Sequence, residues 1–200
     1  MISIVPGDLQ PRAAYQLLIS AVVPRPIGWA STIGSDGTLN IAPFSFFNAV
    51  GGTPPTVMIS VGQRLGRPKD TLRNAQETGE FVINIVSEEL AAAMNETSGE
   101  WDYEVNEFER AGLSTTPSID VRPPRVANAQ VALECKVTQI VPVLETTYTL
   151  ILGRVLRYHI RDGLLRPNGL IDAKLLKPVA RLADNEYATL DKVFEMIRPQ

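Results

Sequence analysis

Fifteen prolines and fourteen glycines are spread through 200 residues. Proline removes a backbone donor and clashes with the preceding helical turn, and glycine weakens any regular element it interrupts. A chain punctuated this often is built from many short elements and few long helices. Asp8–Ser20 is the first helical segment, with Leu9, Ala13, Leu17 and Leu18 near helical spacing and Pro11 tolerated in its first turn. Pro24-Arg25-Pro26 stops it.

Strand signals follow. Ile27–Ile33 and Thr38–Ala42 flank Gly34-Ser35-Asp36-Gly37, a hairpin turn whose Asp-Gly step supplies positive-φ positions. Thr56–Val61 and Phe81–Val86 are apolar runs of strand length, and Ala129–Val141 and Tyr148–Ile160 are longer strands. Between them, Asp70–Thr78 is a helix with Asp70 as N-cap and Gly79 as its stop. Ser87 opens another helix through Met94, with Glu88 and Glu89 complementing the dipole of its first turn. Gly99–Pro124 is charged and irregular, with one helical turn around Val105–Ala111. Asp162-Gly163 forms a second turn, and the tail from Gly169 is a loop with short helical pieces, the last near Leu190–Ile197. Six β-branched strands with short helices make a small decorated barrel, all in one domain spanning 1–200. Its core covers about 20–165, and a tail over 166–200 packs on the barrel or on a partner subunit.

Composition narrows the chemistry. With 19 basic against 22 acidic residues, nothing in the charge favours a nucleic-acid or anionic-membrane partner. One cysteine, Cys135, excludes an intrachain disulfide and a multi-thiolate zinc site, and one histidine, His159, leaves too few nitrogen and sulfur ligands for a transition metal. The first residues carry no secretory pattern and no run approaches a membrane span, so the expected location is cytoplasmic. Either the protein does undemanding chemistry or a cofactor brings the reactive atoms.

Two segments stand out. Pro43–Pro55 (P-F-S-F-F-N-A-V-G-G-T-P-P) reads as an uncharged aromatic loop, which needs the core, a partner subunit or a flat ligand to cover it. Arg64–Thr71 (R-L-G-R-P-K-D-T) leads into a helix and is either a solvated basic loop or a phosphate cradle. Elsewhere the ordinary readings prevail. Cys135 is a buried thiol, His159 a surface or satisfied histidine, and Glu100, Asp102, Glu104, Glu107 and Glu109 a solvated acidic face.

P-R-P-I-G-W-A-S-T, S-D-G-T-L-N-I-A-P-F-S-F-F-N-A-V, T-P-P-T-V-M-I-S-V and K-D-T-L-R-N-A-Q-E-T-G-E-F-V-I-N-I-V resemble, in order, the flavin reductase-like FMN-binding split-barrel family. N-E-F-E-R-A-G-L, L-I-L-G-R-V-L-R-Y-H-I-R-D-G and P-V-A-R-L-A-D-N-E-Y continue the resemblance over roughly residues 20–190. It implies a mainly β, six-stranded Greek-key split barrel, a homodimer, FMN as cofactor and NAD(P)H as electron donor. By position, Ser31 and Thr32 lie beside the flavin or its phosphoribityl chain, and Ala42, Pro43, Phe44, Ser45, Phe46, Phe47 and Asn48 border the isoalloxazine. Ser60, Gly62, Lys69, Asp70 and Thr71 lie near the ribityl and phosphate, with Lys69 the direct cation and Arg64 and Arg67 alternatives. Arg181 and Tyr187 match the family's tail over the active face. One position departs: Tyr148 stands where shorter reductases carry a histidine, and His159 lies six residues beyond Gly153. The implied activity is a flavin reductase feeding a free flavin, an oxygenase partner or another acceptor. The alternatives are a flavoredoxin-type electron carrier and a non-catalytic flavin-binding dimer.

Overall fold

In the computed structural model, which describes residues 1–199, the apolar runs become one antiparallel sheet. Helix α1 (Pro11–Ala21) starts on proline, whose missing N–H is harmless in a first turn. The strands are β1 (Gly28–Ile33), β2 (Leu39–Phe44), β3 (Phe47–Gly52), β4 (Pro55–Val61), β5 (Glu80–Ile85), β6 (Val131–Pro142) and β7 (Thr149–Ile160). The connections hold α2 (Asp70–Thr78), α3 (Ala91–Glu96), α4 (Glu107–Arg110) and, in the tail, α5 (Ala173–Leu176). Strands lie side by side in the order β2-β1-β5-β6-β7-β4-β3, every pair antiparallel.

β2 and β3 occupy opposite edges of that order, yet only Ser45 and Phe46 separate them in the chain. Laid flat, seven strands would put the edges about 29 Å apart, far beyond the roughly 7 Å that two residues span. The sheet therefore rolls until its edges meet at this corner. Ser60 N–H donates to the Phe46 carbonyl at 2.8 Å, and the Phe47 ring lies over Gly28, where an added Cβ would stand 2.7 Å from it. Only glycine admits that approach. The result is the mainly β split barrel the resemblance implied, with seven strands where six were expected.

Alternation along the strands sorts the core. Ala30, Ile59, Phe81, Ile83, Cys135 and Ile151 fill the barrel interior, whereas Trp29 and Ile41 point the other way and pack with Met94, Phe108 and Val179 beneath α3 and α4. At Gly153 a Cβ would run into the Phe81 ring, so glycine on β7 makes room for that ring in the barrel interior.

Three expectations need correction. The aromatic segment is mostly strand: Pro43 and Phe44 finish β2, and Phe47–Gly52 forms β3, whose backbone groups are satisfied by β4. Asp70 is the first residue of α2, Lys69 occupies the cap, and the Asp70 carboxylate turns to Arg73 at 3.0 Å. Leu190–Ile197 forms no helix, and its Val193, Phe194 and Ile197 are exposed, so no packing repays helix nucleation there. Upstream, Ala180–Arg181 pairs with both Arg25–Pro26 and Tyr187–Ala188, which lashes the tail to the segment entering β1. Among the described residues, no helix is long and apolar enough to cross a membrane.

Candidate functional site

Two adjoining cavities, of about 540 and 410 Å³, share Pro43 and Ser98 in their walls and so form one groove across the end of β2. Its larger end faces the start of α2. No side chain caps that helix, so its first-turn N–H groups and the positive end of its dipole face the groove. Four cations line this end: Arg64, Arg67, Lys69 and Arg73. Arg64 already faces Glu100 at 3.7 Å and Asp102 at 3.8 Å, and it donates to the Trp101 carbonyl. Arg73 pairs with Asp70 and stacks 3.4 Å above the Tyr103 ring. Among the described residues, neither Arg67 nor Lys69 joins an ion pair, and both are exposed. That leaves two cations free beside an uncapped helix.

A buried polar network lies under the floor. Asn40 Oδ1 accepts from the Thr71 hydroxyl at 2.9 Å and the Thr32 hydroxyl at 3.2 Å, and Asn40 Nδ2 donates to Glu107 at 2.9 Å. Glu107 also accepts from the Ile41 N–H at 3.3 Å. The solvated-face reading therefore fails for Glu107, which is 6% exposed; the Asn106 side chain caps α4 and turns the carboxylate inward. Burial pushes its carboxyl, and that of Asp70, above the usual range. Through Asn40, Glu107 holds Thr71, and with it the start of α2, against β2.

The smaller end is walled by α1, the entry to β1 and the tail. Arg25 is buried, and its guanidinium donates to the carbonyls of Ile19, Val22 at 2.7 Å and Leu182 at 2.6 Å, and to Ser45 Oγ at 3.4 Å. Arg181 lies 4.4 Å over the Tyr187 ring, whose hydroxyl donates to Asn95 Oδ1 at 3.1 Å.

Of the residues singled out from sequence, the groove gathers Ala42, Pro43, Lys69, Asp70 and Thr71 at its larger end and Pro43, Ser45, Arg181 and Tyr187 at its smaller end. The others line neither cavity. Ser31 is buried and donates to the Pro124 carbonyl at 2.6 Å, and Thr32 belongs to the network beneath the floor. Phe44 is core, Phe46 packs tilted against Tyr148 with ring centroids 5.7 Å apart, and Phe47 covers Gly28. Asn48 is exposed on the edge strand, Ser60 bonds to Phe46, and Gly62 lies under the Tyr148 ring. Sequence reasoning missed Asn40, Trp101 and Tyr103, and it left Arg25 without a role. Asn40 stood inside the quoted N-x-A-P motif. Trp101 and Tyr103 reach the groove only because Arg64, Arg73 and Arg110 pin their segment across it.

The family model for the flavin reductase like domain matches residues 20–176. The chain belongs to the flavin reductase-like family. An uncharacterised protein of Halalkalibacterium halodurans is 42% identical over 97% of this chain and 95% of its own. Among solved structures, nitrilotriacetate monooxygenase component B from Bacillus cereus superposes with a TM-score of 0.94 at 38% identity, covering 98% of both chains. The 2-nitrobenzoate 2-nitroreductase of Pseudomonas fluorescens superposes with a TM-score of 0.90 at 29% identity, over 99% of this chain and 96% of that one.

Several titratable groups of this flavin reductase-like chain lie away from the groove. Cys135 is buried in the barrel interior, and burial raises its thiol far above the usual range. His159 is a satisfied residue: its Nε2 stands 2.5 Å from Glu134 Oε1. Burial pushes Glu134 up, but the N–H groups of Ile119 and Asp120 and the His159 ring outweigh it and hold the carboxyl below the usual range. Tyr148, at the histidine position of the shorter reductases, has its phenol raised by burial and by the neighbouring Tyr15.

Proposed function

We propose that the groove binds FMN and that the protein is a flavin reductase, passing electrons from NAD(P)H through the flavin to a second flavin, an oxygenase partner or another acceptor. One observation carries this reading: an uncapped helix start with two unpaired cations stands at one end of a groove whose other walls are prolyl, aromatic and hydroxylic. The donor set fits the group. A phosphate carries close to two negative charges, and helix N–H groups with Lys69 and Arg67 complement it. Cavities of 410 and 540 Å³ fall within the roughly 300–1,000 Å³ usual for cofactor pockets.

When bound, the flavin supplies hydride acceptance and one- or two-electron transfer. This chain supplies placement. Lys69, Arg67 and the start of α2 anchor the anionic end, while Thr71 is held in line by Asn40 and Glu107. Ala42, Pro43 and Ser45 border the central groove, and the Trp101 segment excludes water from above. Arg181 and Tyr187 flank the far end, where a second substrate approaches. Kinship with an oxygenase component B and a nitroreductase supports an electron-transferring role. Exposed Leu17 and Leu18 on α1, Val22 just after it, and Phe194 and Ile197 in the tail support a homodimer that covers them.

The test is anaerobic mixing of the FMN-loaded protein with NADH and NADPH. Bleaching of the flavin spectrum by either is expected, and a persistent oxidised spectrum with both refutes the reductase reading. Tyr148 favours a second reading, a flavoredoxin-type carrier, because no histidine stands there to place a nicotinamide. Rapid reduction by a protein donor without NAD(P)H oxidation would establish it.

A further inference from the structure

The smaller cavity has a charge that no carboxylate pairs with among the described residues. Arg25 is 5% exposed, and a buried charge ordinarily has an opposite charge beside it. Its donors go to three main-chain carbonyls and one hydroxyl, which satisfy hydrogen bonding but leave the positive charge in place. Arg12 and Arg181 line the same cavity, and among the described residues no ion pair includes any of these arginines. Asp184 is the sole acid in the described lining, and Arg181 reaches it through its main-chain carbonyl. Three uncompensated cations therefore surround one 410 Å³ space in a chain whose net charge is -3.

Beside these groups and the polar Gln16, Ser98 and Asn185, the wall carries aromatic and apolar side chains. Tyr15 comes from α1, Tyr187 from the tail, and Ile27 and Met94 close the space between them. The Ser45 hydroxyl lines the cavity beside Arg25, and Pro43 and Ser98 mark the junction with the larger cavity. Aromatic walls favour a planar ring, and guanidinium groups favour a carboxylate through paired, charge-assisted hydrogen bonds.

We propose that this cavity is a binding site for a small aromatic carboxylate, held as its anion by Arg181 and Arg12 against the buried charge of Arg25. The inference rests on the flavin reading only in making that ligand a substrate; its binding depends on cavity residues that the phosphate anchor does not use. Arg181 supplies the direct contact, braced by its stack on Tyr187, and Arg12 closes the outer side from α1.

The experiment is calorimetric titration of the full chain, with and without FMN, using benzoate, benzamide, acetate and inorganic pyrophosphate. Benzoate is expected to bind about tenfold or more tightly than benzamide, which keeps the ring and loses the charge. Acetate, which keeps the charge and loses the ring, is expected to bind more weakly than benzoate. Arg181→Gln and Arg12→Gln should each shrink the benzoate-to-benzamide ratio; Arg12 lies on an exposed helix face, so that variant keeps the fold. Equal binding of benzoate and benzamide, binding of neither, or an unchanged ratio in both variants overturns the proposal. Pyrophosphate that displaces benzoate and binds more tightly overturns it in favour of a phosphate-bearing ligand. Failure to take up FMN with the benzoate preference intact would fault the flavin reading alone.

Discussion

Replacing Lys69 with alanine isolates the phosphate anchor. Of the four cations at the larger end of the groove, Arg64 and Arg73 face carboxylates, so Lys69 is one of two unpaired charges there. A hydrogen bond to a charged group is worth about 1.5–3 kcal/mol. Lys69 is exposed, so solvent and salt screen its contribution to about 1–2 kcal/mol, or roughly 5–30-fold in the Kd for FMN. Riboflavin has the same ring and ribityl chain without the phosphate, which gives the internal control. Fluorescence titration of flavin-free protein with FMN and riboflavin, at low and at high salt, reads both quantities. The wild type is expected to prefer FMN, with the preference falling as salt rises. Lys69→Ala should lose most of that preference and its salt dependence while keeping its riboflavin affinity. An unchanged FMN affinity and salt slope would refute the reasoning and move the phosphate away from α2. An equal loss for FMN and riboflavin would refute it differently, because the side chain would then be shaping the groove and not answering a charge.

Ser45→Trp fills the smaller end of the groove next to Pro43, so the purified variant is expected to keep its circular dichroism spectrum and lose most of its flavin; normal flavin content would remove Ser45 from the groove's lining role. Glu134→Gln tests the buried cluster on β6. The folded carboxyl is held below its unfolded value, so its stabilisation is present above about pH 4.3 and is lost as pH falls through the lower folded value. The variant should be less stable at neutral pH by about 1–3 kcal/mol in urea unfolding and should lack that part of the acid dependence. A parallel pH profile would show that the pairing with Ile119, Asp120 and His159 does not bear on folding. Gly153→Ala forces a methyl group into the Phe81 ring and is expected to cost about 1–3 kcal/mol in the same assay. Unchanged stability would mean that the Phe81 ring can move aside freely.

Local rules explain why so much was legible in the chain. The Asp36-Gly37 turn, the β-branched runs and Gly79 each act over a few residues, and β1, β2, β4, β5, β6, β7 and α2 formed close to where these signals placed them. Pro43–Pro55 was misread because a strand at a sheet edge is defined by its partner. Its glycines and prolines carry loop propensity, and β4 supplies the pairing that overrides it. The helix expected near Leu190 had the right composition and nothing to pack against. Glu107 shared its composition with exposed Glu100 and Asp102, and no pattern in that acidic run marks which carboxylate the Asn106 cap turns inward.

The candidate site divides along the same line. The quoted motifs contained Pro43, Ser45, Lys69, Asp70 and Thr71, because a helix start after basic residues is a local arrangement. Sequence by itself also bounded the chemistry, since one thiol and one histidine are too few nitrogen and sulfur ligands for a transition-metal centre. Only the tertiary structure decided which cations are free. Arg64, Arg67, Lys69 and Arg73 are alike in charge; Asp70 meets Arg73 at i,i+3 spacing on α2, whereas the fold alone brings Glu100 and Asp102 against Arg64. It also decided that Arg25 would be buried, among the described residues, with no carboxylate paired to it: Ile19 and Val22 are near in the chain, but Leu182 reaches it only once the tail has folded back beside β1. Charge is written in the sequence, whereas neutralisation depends on distance, and the fold determines the distances.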